Sequence, residues 1–163
     1  HEAAVGSKTS EMKFFGGGDT GTLVVPNPRA PKAQINSVKV VKLDNIIENK
    51  DQKILFLIDA EGFELNVLEG AIGILSSKIK HYFIIELWNP SSADALATKN
   101  ENFKNVFSLM GNNGYRGWRI DEDNGDIIEF NIHDEYTRNL SSVSGSFSNY
   151  LFSSKNETHD FFI

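Results

Sequence analysis

Residues 53–75 read KILFLIDAEGFELNVLEGAIGIL, and this stretch decides the fold. Its opening run, Lys53–Ile58, is continuously apolar after the lysine, which predicts a buried strand of a parallel sheet. From Glu64 to Leu75, apolar residues recur at three- and four-residue spacing, which predicts a helix. That helical stripe consists of Leu65, Leu68, Ile72 and Leu75. A second apolar strand, Tyr82–Leu87, follows, so the order strand, helix, strand predicts a βαβ unit with a right-handed connection.

The flanking segments alternate between strand patterns and turn-rich breaks. Before the central unit, strands are predicted at His1–Val5, Met12–Phe15 and Ile35–Leu43, with a short helix at Asn45–Glu48. After it, the pattern predicts a helix at Phe103–Met110 that ends at Gly111, a hairpin of Gly117–Asp121 and Asp126–Ile132, and a final strand at Asn149–Ser153. These elements predict one α/β domain over residues 1–163, with a mixed sheet and an antiparallel C-terminal hairpin.

The composition excludes several classes of protein. The chain has 163 residues, of which 40% are hydrophobic and 23% charged, so it is neither a disordered nor a fibrous protein. Its net charge is −6 and its cations are scattered, so we expect no nucleic-acid partner. Its apolar runs are far shorter than the ~18 residues of a membrane span. Cysteine is absent, which excludes disulfides, zinc thiolates and a cysteine nucleophile. The sequence does not determine the cellular compartment of the protein, and the cytoplasm is the favoured expectation.

Carboxylates cluster where the first central strand ends. Asp59 and Glu61 follow that strand directly, and ligands of open α/β sheets bind at the carboxyl ends of strands. An acid in the first turn of a helix also complements the helix dipole, which explains Glu64 and leaves Glu61 open to either interpretation. Asp59 lies too far before the helix for that explanation, so we expect it to be functional. Gly62 lets the backbone turn sharply and approach a ligand closely.

A second polar group follows the next strand. Glu86 and Trp88 come at its end, and consecutive strands are usually neighbours, so both should lie beside Asp59. Glu86 is a candidate substrate contact, and the alternative is a structural acid that accepts a hydrogen bond from a nearby amide. His81, at the start of the strand, is expected on the surface.

Two further kinds of site are weighed against this one. Gly16–Gly21 matches the dinucleotide-binding pattern G-x-G-x-x-G, but a strand-like segment follows it, so a glycine-rich turn is the expected interpretation. None of the four histidines has metal-ligand spacing from another, and no metal site is predicted. A magnesium site held by the carboxylates of Asp59, Glu61 and Glu86 is allowed by the sequence and stays an alternative.

The central stretch resembles a known family signature. Residues 56–71 are similar to that of FkbM-type methyltransferases, which typically reads K-I-D-V-E-G-x-E-x-x-V-L-x-G-A. Further parts of the family pattern resemble Ala3–Val5, Gly16–Leu23, Val40–Asp44, Phe83–Glu86, Gly114–Tyr115 and Asn149–Phe152. The resemblance therefore covers nearly the whole chain, and its specific part is the central stretch.

The resemblance implies a Rossmann-like class I methyltransferase that uses S-adenosylmethionine. Its acceptor would be a hydroxyl group on a small molecule or glycan, such as a sugar. The implied site residues are Asp59 and Glu61 as catalytic groups, Ala4 and Val5 at the cofactor, and Glu86 and Trp88 at the substrate. In the family's arrangement, Asp59 would face both the methyl donor and the acceptor hydroxyl and would accept the hydroxyl proton.

Two departures from the family pattern matter. The lysine before I-D is Leu57 here, so any role of that ammonium is lost. The cofactor loop D-V-G-A-N-x-G and its strands would precede His1, so we expect the C-terminal portion of a methyltransferase domain, inactive alone. The alternative is a non-catalytic module, derived from a methyltransferase, that binds a glycan or a protein. Acceptor identity would depend on Asn89–Asn100 and Glu135–Ser148, and the oligomeric state stays open.

Overall fold

The computed structural model describes residues 2–15, 23, 35–49, 51–88, 103–120, 124–130 and 147–154. Within these ranges the chain forms two β-sheets and four helices, so the predicted α/β class is confirmed. The predictions made for Gly16–Gly21 and Asn89–Asn100 lie outside the described residues, as do those for most of Glu135–Ser148.

A three-stranded sheet is built from the N-terminal part of the chain. Its strands are β1 (Ala4–Val5), β2 (Ser10–Phe15) and β3 (Ile35–Val41), in the spatial order β1-β3-β2. β1 runs parallel to β3, with Val5 opposite Val41, and β2 runs antiparallel to β3. The three predicted strands are confirmed with shifted ends. The helix that follows, α1 (Leu43–Ile46), begins before the predicted start at Asn45.

The larger sheet has five strands. They are β4 (Leu55–Ile58), β5 (Tyr82–Trp88), β6 (Tyr115–Ile120), β7 (Ile127–Phe130) and β8 (Phe147–Ser154), in the order β4-β5-β8-β6-β7. β4 and β5 are parallel, as the βαβ unit predicts, and the other pairs are antiparallel, so the sheet is mixed. The C-terminal hairpin of β6 and β7 is confirmed, and Gly125 supplies the left-handed residue of its turn, with φ of 75°.

Two helix predictions are corrected by the structure. The helix predicted over Glu64–Leu75 is two helices, α2 (Glu64–Glu69) and α3 (Ile72–Leu75), with a break at Gly70. α4 (Phe103–Asn112) runs through Gly111, so the predicted stop there is wrong. The chain turns instead at Gly114, whose φ of 83° is left-handed. No helix in the described part of the chain is long and apolar enough to cross a membrane.

An aromatic core joins the five-stranded sheet to the helices. Phe83 lies at its centre, with its ring stacked on Phe56 at 4.9 Å and edge-on to Tyr115 at 5.5 Å between ring centroids. Further rings, Phe103, Phe107, Tyr150 and Phe152, extend the same apolar cluster. His81 is fully buried at the start of β5, with its ring edge-on to Phe56. Its predicted place on the surface is therefore wrong, because an imidazole completes an aromatic stack here.

The exposure of β4 also differs from the prediction. Phe56 and Ile58 are buried in the core, but Leu55 and Leu57 are 58% and 73% exposed. Side chains alternate across a strand, so β4 has one buried face and one face that the described residues leave uncovered. β4 is also the edge strand of the described sheet. The predicted fully buried strand is thus half-buried, because its position in the sheet is at the edge.

Candidate active site

A cavity of about 320 Å³ lies between the two sheets, at the carboxyl end of β4. Ala4 and Val5 of β1 form one side, and Asp59 lies at the end of β4 on the other. Phe63 and Val67, before and within α2, add apolar surface. Three predicted site residues therefore share one cavity, and Asp59 is the charged one among the described lining residues. A small cavity with a mostly apolar lining and one polar group is typical of small-molecule sites.

A tight turn between β4 and α2 places Asp59 at this cavity. The turn is closed by the N–H of Phe63, which donates to the carbonyl oxygen of Ala60 at 3.1 Å. Glu61 and Gly62 both have positive φ, 49° and 94°. Left-handed backbone is ordinary for glycine and costs a residue with a Cβ atom about 1 kcal/mol. The strained conformation at Glu61 therefore needs other contacts to hold it.

Glu64, the first residue of α2, provides such contacts. Its side chain is 1% exposed, and its Oε1 accepts hydrogen bonds from the N–H of Gly62 at 2.8 Å and of Ala60 at 3.3 Å. Oε2 makes no hydrogen bond to any residue that the structure describes. Burial raises the pKa of the Glu64 carboxyl; the N–H donors oppose this rise, and the nearby Asp59 adds to it. The sequence explains Glu64 by the helix dipole, and this explanation does not account for its main contacts.

The three-stranded sheet is attached to the helices at a joint formed by Gly6, Asp44, Gly70 and Gly73. The backbones of Gly6 and Gly70 are in direct contact, because a Cβ atom on Gly70 would lie 2.1 Å from the carbonyl oxygen of Gly6. The N–H of Asp44 also donates to the carbonyl oxygen of Gly70 at 3.0 Å. These contacts fall where the predicted helix is interrupted, between α2 and α3.

The carboxylate of Asp44 completes the joint by capping α3. Its Oδ2 accepts the N–H of Gly73 at 2.8 Å, and its Oδ1 accepts the N–H of Ile74 at 2.9 Å. The residue that precedes α3, Ala71, supplies no side-chain cap of its own. Asp44 thus satisfies N–H groups that the first turn of a helix leaves unpaired. Since Asp44 follows β3 and β3 pairs with β1, the joint sets where β1 stands relative to the end of β4.

Glu61 and Glu86 lie near the strand ends but outside the described lining of the cavity. Ile85 of β5 pairs with Ile58 of β4, so the next residues along the two strands are Glu86 and Asp59, neighbours as predicted. Glu61 is half-buried within the turn. The side chain of Trp88 lies outside the described part of the structure. The structure therefore brings Asp59 together with β1, but does not bring Glu61 or Glu86 into the cavity wall.

The magnesium alternative gains no support from the described residues. Among them, no group of three histidine, cysteine, aspartate or glutamate side chains is placed to hold a metal ion. Asp59, Glu61 and Glu86 are all described, and the alternative stays a hypothesis.

Sequence reasoning misses Asp44 and Glu64 as residues that shape the site. Both stand within segments that resemble the family pattern, and that resemblance is the available signal. The backbone groups that each carboxyl reaches depend on packing between segments, which local patterns do not encode.

Comparison with known proteins identifies a family. No curated protein and no solved structure matches the chain. The family model of the methyltransferase FkbM domain matches residues 3–116, which is more than half of the chain. The match includes the joint, the turn after β4 and all the cavity residues described above. The chain that builds this cavity therefore belongs to the methyltransferase FkbM domain family.

Proposed function

We propose that the chain forms part of an S-adenosylmethionine-dependent O-methyltransferase. Its acceptor would be a hydroxyl-bearing small molecule or glycan, such as a sugar. The observation that carries this proposal is that Asp59 shares one cavity with Ala4 and Val5. A carboxylate at a strand end, facing an apolar wall, suits a reaction in which a hydroxyl must lose its proton. We also propose a Rossmann-like class I fold, which the parallel pair of β4 and β5 around α2 and α3 supports.

The lining residues fit part of S-adenosylmethionine. Ala4, Val5 and Phe63 offer apolar surface of the kind that an adenine ring occupies, and Asp59 offers a carboxylate beside it. When bound, the cofactor would supply an electrophilic methyl group on a positively charged sulfur, with a neutral thioether as the leaving group. The residues of this chain would bind the adenine ring of the cofactor and the acceptor molecule.

Asp59 would act on the acceptor. Its carboxylate would accept a hydrogen bond from the hydroxyl and orient the oxygen for attack. It would then take the proton as the new carbon–oxygen bond forms, which leaves Asp59 protonated and the acceptor neutral. Much of the rate would come from holding the two substrates in line, a task for the turn after β4 and for the joint.

We further propose that this chain holds only part of the domain, without the glycine-rich cofactor loop and its strands. The support is the position of β4 at the edge of the described sheet and its uncovered face, on which Leu55 and Leu57 are 58% and 73% exposed. Parallel strands are normally covered on both faces by the helices that connect them. Further strands would pair with the free edge of β4, and their connecting helices would cover the face that carries both leucines. Residues 1–163 alone should then transfer little or no methyl group.

The transcript upstream of the His1 codon tests this partial status. We expect an in-frame sequence that encodes a strand ending in D-x-G-x-N-x-G. A start codon directly before His1 would contradict the expectation. Transfer of labelled methyl groups by residues 1–163 at ordinary enzymatic rates would contradict it as well.

The catalytic assignment is tested by Asp59→Asn in the full translation product of that transcript. The variant should lose about 100-fold or more of its methyl transfer, since general-base catalysis contributes at least that factor. Binding of S-adenosylhomocysteine, measured by calorimetry, should stay near the wild-type value. Glu69→Gln, an exposed acid of α2, is the matched control and should keep both properties. Full activity in Asp59→Asn would overturn the assignment.

A non-catalytic binding module remains the second candidate, and Leu57 favours it. This residue stands in place of the family's lysine, lines the cavity and is 73% exposed, so it offers a ligand an apolar contact in place of a charge. A binding module should keep its affinity for a glycan or protein partner in Asp59→Asn. An enzyme should lose turnover in the same variant.

A further inference from the structure

The buried carboxyl of Glu64 is a feature that the proposed chemistry does not use. An acid in the first turn of a helix is ordinarily solvated, where it complements the helix dipole. Glu64 is instead 1% exposed. Burying a carboxyl group costs free energy unless hydrogen bonds replace the lost water. Its position therefore calls for an explanation in the contacts that it makes.

Those contacts go to one short segment of backbone. Oε1 of Glu64 accepts from the N–H of Gly62 at 2.8 Å and from the N–H of Ala60 at 3.3 Å. In a capping box the glutamate lies three residues into the helix and reaches the N-cap. Glu64 differs because it stands at the first helical residue and reaches two and four residues back, into the turn itself.

The backbone segment that donates to Glu64 is the one with a strained conformation. It contains the two consecutive residues with positive φ, Glu61 and Gly62. Asp59 is the residue directly before it and is the one charged group among the described residues of the cavity lining. A change in the backbone of this turn would therefore move the carboxylate of Asp59 relative to Ala4 and Val5.

The electrostatics of Glu64 reflect its position in the fold. Burial raises the pKa of its carboxyl, the backbone N–H donors oppose the rise, and the proximity of Asp59 adds to it. A raised pKa lessens the repulsion between this carboxyl and that of Asp59. In either protonation state Oε1 can accept the two N–H groups of the turn.

We propose that Glu64 is the positioning residue of this site: through Oε1 it fixes the backbone of Ala60–Gly62, and this directs Asp59 to the cavity. The hydrogen-bond contact stands on the geometry alone, whereas its importance for methyl transfer rests on the proposed function. Glu64 is not a catalytic residue in this scheme, because it acts through Asp59.

A matched pair of variants separates the acceptor from the bulk of the side chain. Glu64→Gln keeps an oxygen in place of Oε1, and Glu64→Met keeps the length and volume but has no oxygen. In Glu64→Met the amide protons of Ala60 and Gly62 should exchange with solvent about 10-fold faster, as loss of a buried hydrogen bond implies. The resonances of Asp59 should shift in the same variant. In Glu64→Gln both properties should stay near wild type, a rescue that side-chain volume alone cannot explain.

A measurement on the wild-type chain covers the case in which Glu64→Met does not fold. A scalar coupling across the hydrogen bond, between the amide nitrogen of Gly62 and the carboxyl carbon of Glu64, should be detectable by NMR. Absence of that coupling overturns the proposal. Unchanged exchange at Ala60 and Gly62 in Glu64→Met overturns it too, and so does a Glu64→Gln variant as disturbed as Glu64→Met.

A cycle of activity measurements then tests whether Glu64 acts through Asp59. In the full translation product, Glu64→Met should lower the rate of methyl transfer, and Asp59→Ala should lower it as well. The double variant should be no slower than Asp59→Ala, since Glu64 acts only by placing Asp59. Additive losses overturn the positioning role. If the wild-type protein transfers no methyl group, the proposed function fails, while the exchange and coupling measurements still decide the role of Glu64 in the turn.

Discussion

The core and the joint hold this molecule together in different ways. In the core, burial is shared among many large side chains, and the rings of Phe56, Phe83 and Tyr115 belong to one apolar cluster. In the joint, a few main-chain atoms meet with no space between them, as at Gly70. Core side chains can adjust around a lost group, whereas the backbone contact at Gly70 leaves no room for an added one.

This difference teaches where stability and site geometry are controlled. The core decides how much free energy unfolding requires. The joint decides where β1 lies relative to β4, and hence the shape of the cavity that Val5 and Asp59 line. Variants in the two regions should therefore be distinguished by two measurements, the free energy of unfolding and the NMR resonances of Val5 and Asp59.

The largest expected effect is in the core. Phe83→Ala removes a fully buried ring that contacts two other rings and should lower the free energy of unfolding by about 3–5 kcal/mol. Urea unfolding measures this loss. Phe83→Leu keeps most of the volume and should lose much less. A loss below about 1 kcal/mol for Phe83→Ala would contradict the central place given to this ring.

The next effect is in the joint, at Gly70. Gly70 lies at the break after α2 in a right-handed helical conformation, where replacing glycine by alanine ordinarily stabilises a protein by up to about 1 kcal/mol. Here the new Cβ atom would meet the carbonyl oxygen of Gly6 at 2.1 Å, so Gly70→Ala should destabilise by about 1–3 kcal/mol. The methyl resonances of Val5 should shift in the same variant. Gly125→Asn is the control: its left-handed φ costs a side chain about 1 kcal/mol, but open space surrounds it, so the resonances of Val5 should not shift. A stabilised Gly70→Ala would show that the joint can open without cost.

A smaller effect is expected at Asp44. Asp44→Ala removes both acceptors from the first turn of α3 and should cost about 1 kcal/mol, the usual value of a helix cap. The resonances of Val5 should again respond, because Asp44 ties β3 to the helices. Asp51→Ala changes an exposed acid whose side chain is not used in this way, and should be neutral. Equal stability of the two variants in urea unfolding would count against the joint as a structural unit.

The smallest effect depends on pH and concerns Glu64. Its pKa is raised in the folded state above the ordinary value of 4.5, so the folded chain binds more protons than the unfolded chain as the pH rises past that value. The contribution of Glu64 to stability should therefore fall as the pH rises towards the folded pKa, and level off above it.

Glu64→Gln removes this titration. The stability of the variant relative to wild type should increase with pH, measured by urea unfolding between about pH 4 and pH 8. Glu69→Gln, which changes an exposed acid, should show no such trend. A constant difference between Glu64→Gln and wild type at every pH would mean that the pKa of Glu64 is the same in the folded and unfolded states.

The elements with strong local patterns are predictable from the sequence. The βαβ unit follows from two apolar runs around a helical stripe, and the C-terminal hairpin follows from the turn residues Asn124 and Gly125. What the patterns do not predict is the partner of each strand. An apolar run such as Lys53–Ile58 looks the same at the centre of a sheet and at its edge, so the exposure of Leu57 could not be foreseen. The separate three-stranded sheet escapes prediction for the same reason.

The residues of the candidate site are likewise only partly predictable from the sequence. Asp59 can be predicted from its place after a strand, and Ala4 and Val5 from the family resemblance; the structure puts all three at one cavity. Whether they act as proposed stays a prediction. The contacts of Glu64 and Asp44 join segments that are packed together by the fold, and a local pattern cannot state which amides a carboxyl will meet.

The place of β8 has a consequence for the synthesis of this protein. Of the described strands, β8 (Phe147–Ser154) leaves the ribosome last, yet it lies between β5 and β6 in the middle of the sheet. Until it emerges, β5 has no neighbour on that side, and the hairpin of β6 and β7 has nothing to join. The sheet therefore closes late, and the nascent chain exposes the edge of β5 until β8 has emerged. A stop codon before Phe147 would remove β8 and separate the β4-β5 pair from the β6-β7 pair. Loss of an edge strand would leave the remaining strands paired.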